Sequence, residues 1–349
     1  MRITQHVRKL KAYTPGEQPK AKSVIKLNTN ENPYPPSPEC ARVLERFDLD
    51  FLRRYPDPDF TDLRIALAKL NDTKPENVFV GNGSDEILAL AARTFVENDE
   101  CIASLDPSYS LYKTLAAIRD VRWIAGGEGF AGAVKPAALD PKTALFLWTN
   151  PNAPTGTLTE PKTIAAFARH FKGVVLVDEA YADFARTNCM SLATAHGNRN
   201  LIVMRTFSKS FSLAGLRVGY CIGPTNLIAA LYKVKDSYNV DALAQAVALA
   251  AVNDIQWMHR NAAKIVATRL RFSKELIRRG WDVPTSESNF VFAKPPAPLK
   301  AKALFDALRE RQIYLRYFKG PKTGDRLRIT IGTDPQMNKL LKALDELSL

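Results

Sequence analysis

Lys209 stands in the run Arg205-Thr206-Phe207-Ser208-Lys209-Ser210-Phe211-Ser212, with Arg217 a short step beyond. One primary amine set among hydroxyls and a guanidinium can capture an aldehyde while neighbouring groups hold a phosphate. A solvated Ser-Lys-Ser turn would read the same over so short a stretch, so the rest of the chain has to decide between the two.

An aldehyde cofactor that works as an electron sink needs four things besides the amine: an acid at its ring nitrogen, donors for its ring oxygen, an aromatic cover and a phosphate cup. The chain offers each. Asp178, after Val174-Val175-Leu176-Val177, is the candidate acid; Asn152 and Tyr181 are candidate donors; Tyr109 is the candidate cover. Gly83, Ser84 and Asp85, at the start of a helical segment, would present free backbone N–H groups, and Thr206, Ser208 and Arg217 would complete the cup. These needs are those of pyridoxal phosphate. Each residue also has a plainer reading: Ser84 and Asp178 as helix caps, Tyr109 as packing.

Elements must bring these groups together. Val78–Val80, Glu100–Leu105, Val121–Ala125, Ala144–Trp148, Val174–Val177, Leu201–Arg205 and Val218–Ile222 are short apolar runs with helical patterns between several of them, which predicts an α/β fold with a mostly parallel sheet covered on both faces. Ligands of such sheets gather at strand ends, and Asp106-Pro107-Ser108-Tyr109, Asn150 to Gly156, Asp178 to Tyr181 and Thr206 to Lys209 each follow an apolar run. From about residue 226 the texture changes to long helical patterns at 242–252 and 262–279. A smaller α/β unit follows, with candidate strands at 288–292, 313–318 and 327–332 and a helix near 302–311. The reading divides the chain into an arm at 1–26 that joins the small domain, a large domain at 27–245 and a small domain at 246–349.

Composition narrows the classes. The 349 residues carry 49 Lys and Arg against 36 Asp and Glu, a formal charge of +13, spread without a long basic run. That bias suits anionic small molecules or modest nucleic-acid binding and by itself identifies neither; the partners expected are small molecules, with no nucleic acid. Cys40, Cys101, Cys189 and Cys221 form no CxxC pair, so no metal site is expected. No stretch approaches the roughly 20 apolar residues of a membrane span, and the N-terminus lacks an apolar targeting core, so a cytoplasmic protein is expected.

The order Asn152…Asp178…Tyr181…Ser208-Lys209…Arg217 resembles that of the fold-type I pyridoxal-phosphate aminotransferases over nearly the whole chain. Leu27 to Tyr34 (LNTNENPY), Tyr55-Pro56-Asp57, Gly81 to Glu86 (GNGSDE), Asn150 to Gly156 (NPNAPTG), Asp178-Glu179-Ala180-Tyr181 and Leu327 to Gly332 (LRITIG) resemble the histidinol-phosphate aminotransferase family more narrowly. Aromatic amino-acid aminotransferases and threonine-phosphate decarboxylases share most of these motifs. A binding protein of the same fold without catalysis is the remaining alternative.

The resemblance implies a seven-stranded mixed sheet with one antiparallel strand, a small α/β domain and a homodimer with shared active sites, in which Tyr55 reaches the phosphate of the neighbouring subunit's cofactor. It implies Lys209, Asp178 and Tyr109 as the catalytic set, with Lys209 moving the proton at the substrate carbon. It further implies Arg328, Arg316, Tyr13 and Asn32 as substrate contacts. The reaction implied is amino transfer between histidinol phosphate and 2-oxoglutarate.

Overall fold

A computed structural model describes residues 2–10, 16–19, 23–130 and 134–347. In chain order its strands are β1 (Ile25–Lys26), β2 (Val78–Gly81), β3 (Cys101–Asp106), β4 (Arg122–Glu128), β5 (Thr143–Thr149), β6 (Val174–Asp178), β7 (Leu201–Thr206), β8 (Gly219–Ile222), β9 (Phe290–Ala293), β10 (Ile313–Tyr314), β11 (Arg316–Tyr317) and β12 (Leu327–Thr330). Seven of them form one sheet in the order β2-β8-β7-β6-β5-β3-β4. Strand β8 runs antiparallel to both its neighbours, and the remaining pairings are parallel.

Strands of this sheet are almost continuously apolar because both faces are covered. Alternation then assigns each side chain to one of two cores. Val78, Val80, Phe146, Trp148, Val175, Val177, Leu201 and Val203 face one side, where helices Thr61–Leu70, Pro161–His170, Ala242–Asn253 and Ile255–Arg278 pack. Phe79, Ile102, Leu145, Leu147, Leu176, Ile202 and Met204 face the other, against helices Gly83–Phe95, Leu111–Ile118 and Thr225–Val234.

The C-terminal region supplies a three-stranded antiparallel sheet, β11-β12-β9, covered by helices Ala301–Glu310 and Asp334–Leu347. Two expectations change here. The run 313–318 is not one strand: Ile313–Tyr314 pairs in parallel with β1, while Arg316–Tyr317 pairs with β12, so the chain turns at Leu315 to serve two sheets. The N-terminal arm contributes more than a polar tail, since β1 hydrogen-bonds to β10 and helix Gln5–Lys9 lies against Leu111–Ile118. Helix Ala242–Asn253 runs unbroken through residue 245 and packs on Pro38–Arg46 and Thr61–Leu70.

Candidate active site

Parallel strands all end at the same edge of a sheet, and here that edge collects the polar groups. Asp178 is the last residue of β6, and Lys209 lies three residues past β7. Tyr109 follows β3, Asn152 follows β5, and Gly83 follows β2. Arg217 leads into β8, whose reversed direction brings its start to this same edge.

Asp178 is buried, with 4% of its surface exposed. Its Oδ2 accepts from Tyr112 Oη at 2.8 Å and its Oδ1 from the Ala180 N–H at 3.2 Å. Thr149 Oγ1 lies 2.5 Å from the same Tyr112 hydroxyl. Among the described residues no cation forms an ion pair with Asp178. Burial therefore dominates and pushes its pKa up to about 6, against the pull of the Tyr112 and Ala180 hydrogen bonds. A carboxylate placed this way lacks a partner of positive charge, and a protonated ring nitrogen is the kind of group that would complete it.

Lys209 Nζ donates to Thr29 O at 3.1 Å and lies 5.9 Å from the centre of the Tyr181 ring. Burial lowers its pKa to about 8, helped by Arg328 and Arg217 and opposed by Glu31 and Asp85. About a tenth of an amine with that pKa is unprotonated at pH 7, several hundred times the fraction at the ordinary lysine value, and the free base is the form a nucleophile requires. Tyr181 itself accepts from Asn30 Nδ2 at 2.9 Å.

The cup forms where helix Gly83–Phe95 begins. No side chain caps its first turn at Asn82, so amides of Gly83, Ser84 and Asp85 are left for another acceptor. Gly83 has φ +76°, and a Cβ there would sit 2.6 Å from Arg217 Nη2, so only glycine lets the guanidinium lie against this turn. Ser208 Oγ accepts from Thr206 Oγ1 at 3.0 Å and from Arg217 Nη1 at 3.3 Å, and its own hydrogen remains available. Arg217 also pairs with Asp85 at 3.6 Å, and Tyr109 Oη donates to Asp85 Oδ1 at 3.3 Å. Amides, hydroxyls and one guanidinium converging on one spot are a donor set for a phosphate. The residues present thus fit pyridoxal phosphate.

Other expected residues fall differently. Asn152 Nδ2 is engaged by Pro107 O, Gly129 O and Thr155 Oγ1 at 2.9–3.0 Å, and its Oδ1 accepts from Ser108, so its amide knits the loops of the wall. Asn32 Nδ2 donates to the carbonyls of Lys209 and Ser210, both at 3.1 Å, and so supports the lysine loop from beneath. Tyr55 is 80% exposed and stacks on Tyr238 with centroids 4.4 Å apart; it is not hydrogen-bonded to the cup of its own chain. Tyr13 lies outside the described residues.

Arg316 and Arg328 are direct cross-strand partners on β11 and β12, which puts both side chains on one face. Each guanidinium carbon lies 5.3 Å from the Phe318 ring, and Arg328 Nη2 donates to Asn28 O at 2.9 Å. Arg328 and Lys209 donate to adjacent carbonyls, Asn28 O and Thr29 O, which brings this face of the small sheet to the lysine. Tyr112, Thr149 and Asn30 are functional neighbours that sequence reasoning missed. Tyr112 sits at the start of helix Leu111–Ile118, and its N–H donates to Tyr109 O at 3.1 Å, so the turn after β3 carries both tyrosines to the site.

Likeness to known proteins runs along nearly the whole chain. The family model for aminotransferase class I and II matches residues 22–344. A histidinol-phosphate aminotransferase of Nostoc sp. is 41% identical over 345 residues, covering 98% of this chain and 97% of that one. One from Chromohalobacter salexigens is 43% identical over 343 residues, covering 97% of each. Among solved structures, the Sinorhizobium meliloti histidinol-phosphate aminotransferase in complex with pyridoxal-5'-phosphate superposes with a TM-score of 0.89 at 25% identity, covering 99% of this chain and 97% of that one. A lysine and a desolvated aspartate at one sheet edge, a phosphate cup beside them and likeness along the full length have one common explanation: the chain belongs to the class I and II aminotransferase family, alongside the histidinol-phosphate aminotransferases.

Proposed function

We propose that the protein is a pyridoxal-phosphate enzyme that moves an amino group from histidinol phosphate to 2-oxoglutarate, giving imidazole-acetol phosphate and glutamate, or runs this exchange in reverse. The observation that carries the reading is the desolvated pair Lys209 and Asp178 at one end of β6 and β7, within reach of the paired arginines Arg316 and Arg328.

When bound, pyridoxal phosphate supplies an aldehyde that condenses with amines and a ring that accepts the electron pair left on the substrate carbon. The protein's part follows from its residues. Asp178, oriented by Tyr112 and the Ala180 N–H, offers negative charge to the ring nitrogen. Gly83, Ser84, Asp85, Thr206, Ser208 and Arg217 would hold the phosphate. Tyr109 covers the site from the β3 side, and Tyr181, fixed by Asn30, lies against the lysine. Lys209, with its pKa lowered to about 8, takes the proton from the substrate carbon and returns it. Arg316 and Arg328 meet both substrates: a guanidinium binds a carboxylate and a phosphate ester by the same two-pronged hydrogen bonding, so one site serves both halves of the exchange.

Two further parts of the reading are ours as well. Tyr55 is offered to a second copy: with Leu49, Phe51 and Leu52, exposed at 72%, 53% and 56%, it forms an apolar surface suited to a homodimer that shares its active sites. The division of the chain at about residue 245 assigns the cofactor-binding sheet to one part and the arginines to the other, with helix Ala242–Asn253 spanning the boundary and packed on helices of the first part. Among the described residues no helix is long and apolar enough to cross a membrane, and the reading places the enzyme in the cytoplasm.

The test is a titration of the purified, cofactor-loaded protein with histidinol phosphate, glutamate, phenylalanine and phosphothreonine in turn, following cofactor absorbance. Histidinol phosphate and glutamate are expected to discharge the visible band, and Lys209→Ala is expected to lack it. Carbon dioxide release from phosphothreonine, or a band indifferent to histidinol phosphate, would overturn the assignment.

A further inference from the structure

A second buried charged cluster lies behind the cofactor site, and the chemistry above leaves it unused. Asp178 pairs in register with Met204, and the Glu179 N–H continues the ladder to Met204 O at 2.8 Å. One step along the pleat reverses the side-chain direction, so Glu179 and Arg205 meet on the opposite face from Asp178. Arg205 donates through Nε and Nη2 to Glu179 Oε2 at 3.1 and 2.9 Å, and through Nη1 to Asp183 Oδ1 at 2.9 Å. The side chains of Arg205, Glu179 and Asp183 are 14%, 0% and 13% exposed. Burial works against the charge on Arg205, yet Asp183 and Glu179 outweigh it and hold the guanidinium well above its ordinary range.

Two carboxylates share one guanidinium, so the cluster keeps a surplus of negative charge. Such a surplus is costly in the interior unless its remaining lone pairs meet donors. Asp183 Oδ2 meets one: the Ser210 hydroxyl, itself 2% exposed, donates to it. Ser210 follows Lys209 directly in the chain, and Asn32 grips the carbonyls of both residues from the other side. The Lys209–Ser210 peptide is therefore clamped between a neutral amide and a buried ionic brace.

We infer that Asp183 is a positioning residue: through the Ser210 hydroxyl it holds the Lys209 main chain in register with the loop that carries Asp178, so that the amine is aimed before the cofactor arrives. Arg205 and Glu179 in turn hold Asp183. The inference rests on the reading of Lys209 as the cofactor lysine.

The test compares the unaltered protein with Ser210→Ala, Asp183→Asn and the double variant, each full-length and stripped of cofactor. Each is mixed with pyridoxal phosphate, the rate at which the lysine-linked absorbance band grows is measured by stopped flow, and melting temperature is recorded alongside. Each single change is expected to slow linkage about 10-fold with final cofactor content retained, and Ser210→Ala, which takes one donor from a buried carboxylate, is expected to lower the melting temperature by only a few degrees. The double variant is expected to be no slower than the slower single, since both remove one hydrogen bond. Linkage by Ser210→Ala at the unaltered rate, or slowing that multiplies in the double variant, would overturn the inference. Should Asp183→Asn fail to fold, Ser210→Ala alone decides by its rate. An unaltered protein that forms no band at all would instead remove the reading of Lys209, a result distinct from a band that forms equally fast with and without the Ser210 hydroxyl.

Discussion

Adjacent residues at the end of β6 show two ways of burying a carboxylate. Asp178 faces the cofactor side, held by a tyrosine hydroxyl and a backbone amide with no cation in contact. Glu179 faces the other side, where Arg205 binds it through two nitrogens and the Cys189 N–H donates to its second oxygen. The first is incomplete without a ligand; the second is complete without one. At pH 7 the raised pKa of Asp178 corresponds to about 3 kcal/mol of strain in the cofactor-free protein, by the exchange of about 1.4 kcal/mol for each tenfold change in proton affinity. Burial raises the pKa of both acids, but Glu179 has the Arg205 guanidinium bound against it and Asp178 has only hydroxyl and amide donors.

Removal of the reacting group tests this contrast most severely. Lys209→Ala should lower kcat by about 10⁴-fold or more and abolish the covalent absorbance band, as read by steady-state kinetics and spectroscopy. Next, Asp178→Asn should slow amino transfer by about 10³-fold, yet raise the stability of the cofactor-free protein at pH 7 by up to about 3 kcal/mol in urea denaturation. Glu179→Gln should do the reverse, lowering stability by about 3 kcal/mol, because it strands part of a buried guanidinium. If both substitutions shift stability in the same direction, the distinction between the two faces fails.

Smaller effects sharpen it. Arg328→Lys keeps the charge and loses the fork, so KM for both anionic substrates should rise about 10-fold with kcat little changed. The pH dependence of stability in the cofactor-free protein should carry both reacting groups. The folded carboxyl of Asp178 binds its proton more tightly than the unfolded one, so its contribution is lost as pH rises from about 4 to about 6. The folded amine of Lys209 binds its proton less tightly, so its contribution is gained as pH rises from about 8 to about 10.5. Differential melting against Asp178→Asn and Lys209→Ala should show each limb disappear separately.

The large sheet was legible because its strands are buried on both faces and read as unbroken apolar runs, from Val78–Val80 to Leu201–Met204. The site's chemical members were legible because they follow those runs directly. What stayed hidden was pairing across long sequence separations. Tyr112 reaches Asp178 from a helix, and Asn30 reaches Tyr181 from a proline-rich loop; no local pattern encodes either bond. Asn152 and Asn32 were recognisable as polar residues at the site, but an amide's sequence position does not say whether it will face a ligand or a neighbouring carbonyl. Helix Gly83–Phe95 begins earlier than its apolar pattern because its first turn is the polar run Gly83-Ser84-Asp85-Glu86. The strand at 313–318 divides because its halves answer to different partners.

The segment 28–32 joins the parts of the molecule residue by residue. Asn28 O receives Arg328, Thr29 O receives the Lys209 amine, Asn30 bonds Tyr181 and Thr330, and Asn32 holds the lysine loop. Four of the five positions thus report to different members of the site, like teeth of a key, and the Glu31 side chain pairs with Lys26 instead. Loss or gain of a single residue in this stretch would throw every tooth out of step at once, so its length is under tighter constraint than its composition. Two of the links, at Asn28 and Thr29, run through main-chain oxygens and depend on the spacing of the backbone rather than on the side chains there.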